Sequence, residues 1–97
     1  MATRGSLVIG KKRYYISYGA DPRSARGVLR DALRIWKRSR TKTRRSFIRI
    51  VKRIAGSDWI RGYAPKSFGW PFEEYRWFVS LRKGTIKYKE ILKPKRK

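Results

Sequence analysis

Apolar and polar positions alternate with a period of two near both ends of the chain and follow a helical period between them. Leu7 and Ile9 alternate with Ser6 and Val8, and Tyr14, Ile16 and Tyr18 alternate with Arg13, Tyr15 and Ser17. Gly10-Lys11-Lys12 supplies a turn between the two runs, so residues 6–18 read as a hairpin that Gly19 ends. Asp21 then stands where a helix N-cap belongs, and Pro22 fits the first helical position. Ala25, Val28, Leu29, Ala32, Leu33 and Trp36 follow at about 100° per residue on one face, which predicts a helix over 22–38. Arg23, Arg26, Arg30, Arg34 and Lys37 form a second stripe, expected opposite the apolar one. At about 1.5 Å of rise per residue that stripe is roughly 20 Å long.

Arg38, Arg40 and Lys42 belong to a basic connector around Ser39–Lys42. A second helix is predicted from about Thr43 to Ala55, with Phe47, Ile50, Val51 and Ile54 as its apolar stripe. Arg45, Arg49, Lys52 and Arg53 face the other way, Arg44 lies in the first turn, and Gly56 is a natural stop. Ser57 and Asp58 fit the cap of one further turn carrying Trp59 and Ile60. Residues 62–72 contain Gly62, Pro65, Gly69 and Pro71 and read as a loop rich in aromatics: Tyr63, Phe68, Trp70 and Phe72. A second hairpin follows. Tyr75, Trp77, Val79 and Leu81 alternate with Arg76, Phe78 and Ser80, Arg82-Lys83-Gly84 turns, and Thr85, Lys87 and Lys89 alternate with Ile86 and Tyr88.

The expected fold is therefore α+β: an antiparallel sheet from two hairpins with two amphipathic basic helices on one face, in the order β-β-α-α-β-β. Residues 1–92 are expected to form a single domain and 93–97 a basic tail. A winged-helix arrangement would instead make residues 57–63 a third helix and 75–91 a wing. That segment is short for a recognition helix.

Charge gives this scaffold its direction. The 97 residues hold 28 Lys+Arg against 6 Asp+Glu, a formal net charge of +22. Such a chain repels itself and gains stability from any polyanion that neutralises it. Nucleic acid is the first such partner, because each phosphate neutralised also releases counterions; an anionic membrane surface is the competitor. At 40% hydrophobic and 14% aromatic residues, the chain is too apolar for a disordered polycation. No acidic residue occurs from Ala32 to Ser57, and ten of the twenty residues from Arg34 to Arg53 are basic. Solvated helix faces usually mix signs at i,i+4; these do not. Arginine outnumbers lysine in both helices, and its fork fits phosphate oxygens.

Catalytic chemistry has little to work with. Cys, His, Asn and Gln are absent, which removes disulfides, thiolate metal sites and the usual general base. Avoidance of Asn, Gln and Cys also fits a hyperthermophilic source. Asp21 and Asp58 occupy cap positions, Asp31 a helix flank, and Glu90 stands among lysines. Glu73 and Glu74 are adjacent, so in extended chain they point to opposite faces. A metal-dependent nuclease would need distant carboxylates such as Asp31 and Asp58 to converge. No enzyme activity, metal, cofactor or small-molecule substrate is expected.

The residues expected to contact nucleic acid are Arg23, Arg26, Arg30, Arg34, Lys37, Arg38, Arg40, Lys42, Arg44, Arg45, Arg49, Lys52 and Arg53, with Lys93, Lys95, Arg96 and Lys97 of the tail. Tyr15, Phe68 and Trp70 are the candidates for stacking on an unpaired base. Trp36, Phe47 and Trp77 sit at core spacing.

In size, charge and layout, and in the Arg-faced helices 22–38 and 43–55 and the tail Lys93–Lys97, the chain resembles the small basic ribosomal proteins of thermophilic archaea. The resemblance implies a structural RNA-binding role in a ribosome or similar particle, beside neighbouring proteins. RNA is favoured over DNA because the aromatic segment 63–72 suits irregular surfaces. A DNA-packaging protein of a virion or of chromatin is the alternative, and a winged-helix regulator comes after it. A membrane-active basic peptide fits poorly with the β segments. No apolar run approaches the roughly 18 residues needed to cross a bilayer. Residues 1–10 lack the apolar stretch of a signal peptide. The expected location is cytoplasmic, in a nucleoprotein particle, or else within a virion.

Overall fold

A computed structural model of the chain describes residues 3–62 and 73–91. Two helices cover one face of a five-stranded sheet. In chain order the elements are β1 (Gly5–Ile9), β2 (Lys12–Ile16), α1 (Pro22–Arg38), α2 (Arg44–Ala55), β3 (Ile60–Arg61), β4 (Tyr75–Ser80) and β5 (Thr85–Glu90).

Both helices start where their caps dictate. The Asp21 carboxylate accepts from the Ser24 backbone N–H, and Pro22 opens α1 without losing a hydrogen bond. Thr43 caps α2 through a reciprocal pair: its hydroxyl accepts from the Ser46 N–H while Ser46 Oγ accepts from the Thr43 N–H. Gly56 ends α2 at φ 106°. Lys37 and Arg38, and Lys52 and Arg53, sit in the last turns, where the helix dipole favours cations.

The sheet runs β3-β2-β1-β4-β5. Both hairpins form, β1 with β2 and β4 with β5. The sheet is nevertheless mixed and not purely antiparallel, because β1 and β4 pair in parallel with Leu7 opposite Trp77. The cause is hydrophobic: Leu7 and Trp77 are both fully buried, whereas β5 is almost wholly exposed. The more apolar strand of the second hairpin therefore takes the centre and leaves β5 at the edge. Both central strands lead their hairpins and run the same way. At this seam Gly5 lies so close to its neighbours that a Cβ there would stand 2.4 Å from the Tyr75 carbonyl oxygen and 2.8 Å from Ala20 Cβ.

The segment after α2 forms a hydrogen-bonded turn over 57–59, with the Trp59 N–H donating to the Gly56 carbonyl at 3.2 Å, but it continues into no third helix. Ile60 and Arg61 instead pair with Ile16 and Tyr15 as a short strand on the outer edge of β2. Burial drives this: Trp59 and Ile60 become 3% and 1% exposed beside β2, and Ser17 donates to the Trp59 carbonyl at 2.9 Å. The winged-helix arrangement loses its recognition helix.

Ala25, Leu29, Ala32, Leu33 and Trp36 of α1 and Phe47, Ile48, Ile50 and Val51 of α2 pack with Leu7, Ile9, Ile16, Trp77 and Val79 into one core. Trp36 and Phe47 meet edge to face at 6.5 Å, and the Trp36 indole N–H donates to the Thr43 carbonyl at 3.0 Å. Two expectations for the stripes shift. Ile54 is left exposed, and Ile48 is buried in its place. Ile48 lies beside Tyr14 of β2, whose hydroxyl accepts from Arg44 Nε at 2.9 Å, whereas Ile54 falls in the last turn of α2.

Candidate nucleic-acid interface

The basic side chains divide into three groups according to the element that carries them. The first is the α1 row. Arg23, Arg26, Arg30, Arg34 and Lys37 are all exposed. The row runs along the flank of α1 beside β5, and not along its outer back. Helical geometry explains the placement, since Arg26 is only about 60° around the helix from Leu29. Arg26 lies over the Tyr88 ring of β5 at 5.5 Å, within cation–π range. Arg30, Arg34, Lys37 and Arg38 line a groove of about 480 Å³ whose floor is Leu33, Gly84 and Ile86. Gly84, at φ 71°, brings the β4–β5 turn against Lys37, where a Cβ would lie 3.1 Å from Nζ. The groove therefore has a cationic wall from α1 facing the apolar Ile86 and the Gly84 turn of the β4–β5 hairpin. Among the described residues no acidic side chain pairs with Arg23, Arg30, Arg34 or Lys37. Asp31, the one acid in α1, is exposed and outside the groove.

The second group belongs to α2. Arg45, Arg49 and Lys52 are exposed and border a smaller groove of about 320 Å³ with Ile48 of α2 and Tyr14 of β2. The two rows thus lie on opposite flanks of the helix layer and do not merge into one stripe. Arg53 is exposed at the end of α2, and Arg40 and Lys42 are exposed in the connector. Arg44 is drawn from the row by its bond to Tyr14 and is half-buried.

The third group, on the sheet face away from the helices, escaped the sequence reading. Register places Arg61, Tyr15, Ser6, Arg76 and Lys89 across the sheet in one line, and Arg13, Val8, Phe78 and Lys87 in the next. Glu73 anchors this face. Only 5% exposed, it accepts from Arg13 at 2.8 Å, from Arg76 at 2.9 and 3.0 Å, and from the Ser6 hydroxyl. Glu74 points elsewhere, toward the Arg4 backbone, as adjacent residues in extended chain require. Burial pushes the Glu73 carboxyl up. Hydrogen bonds from Arg76 and Ser6, with the charges of Arg13 and Arg76, outweigh that and hold it below the ordinary glutamate value.

A lowered folded value means that this cluster stabilises the fold above the unfolded carboxyl value, near pH 4.5, and that the contribution is lost as pH falls through the lowered value. Glu73→Gln should therefore lower the urea midpoint at pH 7, by an amount equivalent to about 1 kcal/mol or more. It should also flatten the loss of stability below pH 4.5. Equal acid sensitivity in both proteins would show that Glu73 does not carry it.

Tyr15 is not available for stacking. It lies between Ser6 and Arg61 in the sheet and is 2% exposed. Among the described residues the exposed aromatic of that face is Phe78, at 39%. Its signal was in the sequence, because strict alternation puts Phe78 opposite the core residue Trp77. Phe68 and Trp70, and Lys93, Lys95, Arg96 and Lys97, lie outside the described residues.

Among the described residues no group of three or more carboxylates, Cys or His could hold a metal ion, and no helix is long and apolar enough to cross a membrane. Comparison with protein-family models, with curated protein sequences and with solved structures finds no match.

Proposed function

We propose that the protein is a structural nucleic-acid-binding protein, and that the α1 row holds a phosphate backbone in the groove beside β5. The observation that carries this reading is the groove itself: Arg30, Arg34, Lys37 and Arg38 converge on it without an acidic partner among the described residues. Contacts from arginine and lysine to phosphate oxygens carry no sequence information, so binding through this groove is general and positional. A component of a ribosome or another ribonucleoprotein particle is the form of this function that fits best, with RNA preferred to DNA and neighbouring proteins around it. The protein acts by neutralising phosphates, with no chemical step of its own.

The placement of the two rows on opposite flanks favours a second reading. A molecule cationic on two sides can bridge two nucleic-acid segments, as a DNA-packaging protein must. The nucleic acid that copurifies with the native protein separates the two: ribosomal RNA within a particle, or DNA within a coat.

The test of phosphate binding is a salt titration. Log affinity for an unstructured RNA and for a duplex should fall linearly with log salt, with a slope consistent with about six or more phosphate contacts. Affinity independent of salt would overturn the proposal.

A further inference from the structure

We infer that the cleft over Phe78, on the sheet face away from the helices, holds an unpaired base stacked on Phe78, with its flanking phosphates on the lysines of β5 and of the β4–β5 turn. This rests on the nucleic-acid reading above and narrows it to a single-stranded segment at a second, separate site.

Phe78 lies in the middle of β4, one strand in from the edge, on the side away from both helices. Its neighbour Trp77 is fully buried, yet Phe78 remains 39% exposed. An isolated exposed phenylalanine needs no explanation. This one has a defined setting. Val8 is its partner across the parallel seam and Lys87 its partner on β5. Directly opposed side chains in a sheet stand about 5 Å apart at Cβ. The half-buried Val8 therefore extends the apolar platform on one side, and Lys87 places an ammonium at the other edge of the ring.

A cleft of about 330 Å³ opens over this platform, with Gly10, Ser80, Lys83 and Thr85 around it. Ser80 and Thr85 oppose each other in register and supply two hydroxyls at the platform's end. The Ser80 oxygen accepts from the Lys83 backbone N–H at 3.2 Å, which leaves its own proton to donate. Gly10 has no side chain to close the mouth.

The chemistry of this setting selects the occupant. An aromatic face suits a π-surface, hydroxyls suit the polar edge of a base, and Lys83, Lys87 and Lys89 suit the phosphates on either side. Sheet-borne aromatics flanked by cations bind unpaired bases in this manner. The nearest buried acid, Glu73, is held by Arg13 and Arg76, so it does not repel an anion in the cleft. A paired base offers no exposed face, so a duplex has nothing to stack here. The cleft and the α1 groove lie on opposite faces of the sheet, on either side of the edge strand β5. One nucleic-acid strand could therefore pass over the edge and use both sites.

The test compares a short fluorescent single-stranded RNA with a duplex of the same length, for wild type, Phe78→Ala and Phe78→Trp. Phe78→Ala is expected to weaken single-strand binding about tenfold. It should leave duplex affinity and the salt slope unchanged, and Phe78→Trp should restore binding. Because Phe78 is exposed, the variants keep the fold, which circular dichroism checks. Unchanged single-strand affinity in Phe78→Ala, or an equal loss on the duplex, would overturn the base site and leave the phosphate reading intact. A wild type that binds neither probe would overturn both. A self-associated wild type that Phe78→Ala returns to monomer would seat a second copy on this face and overturn the base site.

Discussion

Replacing Arg30, Arg34 and Lys37 together by glutamate is expected to weaken binding to any nucleic acid by about 100-fold or more at moderate salt. The three side chains line one groove, and no acid pairs with Arg30, Arg34 or Lys37 among the described residues. Each reversal removes an attraction and sets a like charge against phosphate, and like-charge contacts cost several kcal/mol in total, with about 1.4 kcal/mol per tenfold. The salt slope should shrink by roughly three contacts. All three positions are exposed and glutamate is a good helix former, so α1 should persist, which far-UV circular dichroism checks. The matching reversal of Arg45, Arg49 and Lys52 lies on the other flank, so its effect should add to the first and not duplicate it. Equal affinity of the α1 variant and wild type, measured by fluorescence anisotropy, would remove the groove as the binding surface.

The largest stability effect is expected at Trp77. It is fully buried at the parallel seam, packs on Tyr88 at 4.9 Å between ring centroids, and donates its indole N–H to the Ala20 carbonyl at 2.7 Å. Trp77→Ala should cost about 3–5 kcal/mol. Domains of this kind have a total of about 5–15 kcal/mol, so a loss of this size removes a large share of the stability of the fold. Trp77→Phe should fall between the two, because it keeps most of the volume but leaves the Ala20 carbonyl without its donor. Urea midpoints give all three values, and a loss below about 1 kcal/mol for the alanine variant would contradict the seam as described.

Much of this fold could be read from local signals, because local forces build most of it. Asp21-Pro22 and Gly56 mark helix ends through capping, and the apolar spacing from Ala25 to Trp36 locates the face of α1 that meets the sheet. Both hairpins follow from alternation around Gly10 and Gly84. The parallel pairing of β1 with β4 had no local signal. It joins residues 70 positions apart in register, and only the competition of whole strands for the centre decides it. For the same reason β3 resembled a helical turn: Ile60 and Arg61 pair only because Ile16 and Tyr15 wait at an open edge.

The candidate site was legible in its charges and less so in their arrangement. Arg23 to Lys37 was visible as a row, but its direction depends on which flank of α1 meets β5. Alternation placed Phe78 opposite Trp77, but the burial of Tyr15 depends on its cross-sheet neighbours, which no local pattern shows. The pinning of Glu73 by Arg13 and Arg76 spans 60 residues on one side and three on the other, beyond any spacing rule.

The seam between Gly5 and Tyr75 also sets the order of events when the chain first folds. The leading hairpin and both helices can form as they emerge, but Leu7 keeps one flank bare until β4 arrives. That flank waits for residues 70 positions further along the chain, and closure by distant pairing is slow. If nucleic acid seats on α1 as proposed, it would relieve the charge repulsion that opposes this pairing, and binding and completion of the sheet would then proceed together.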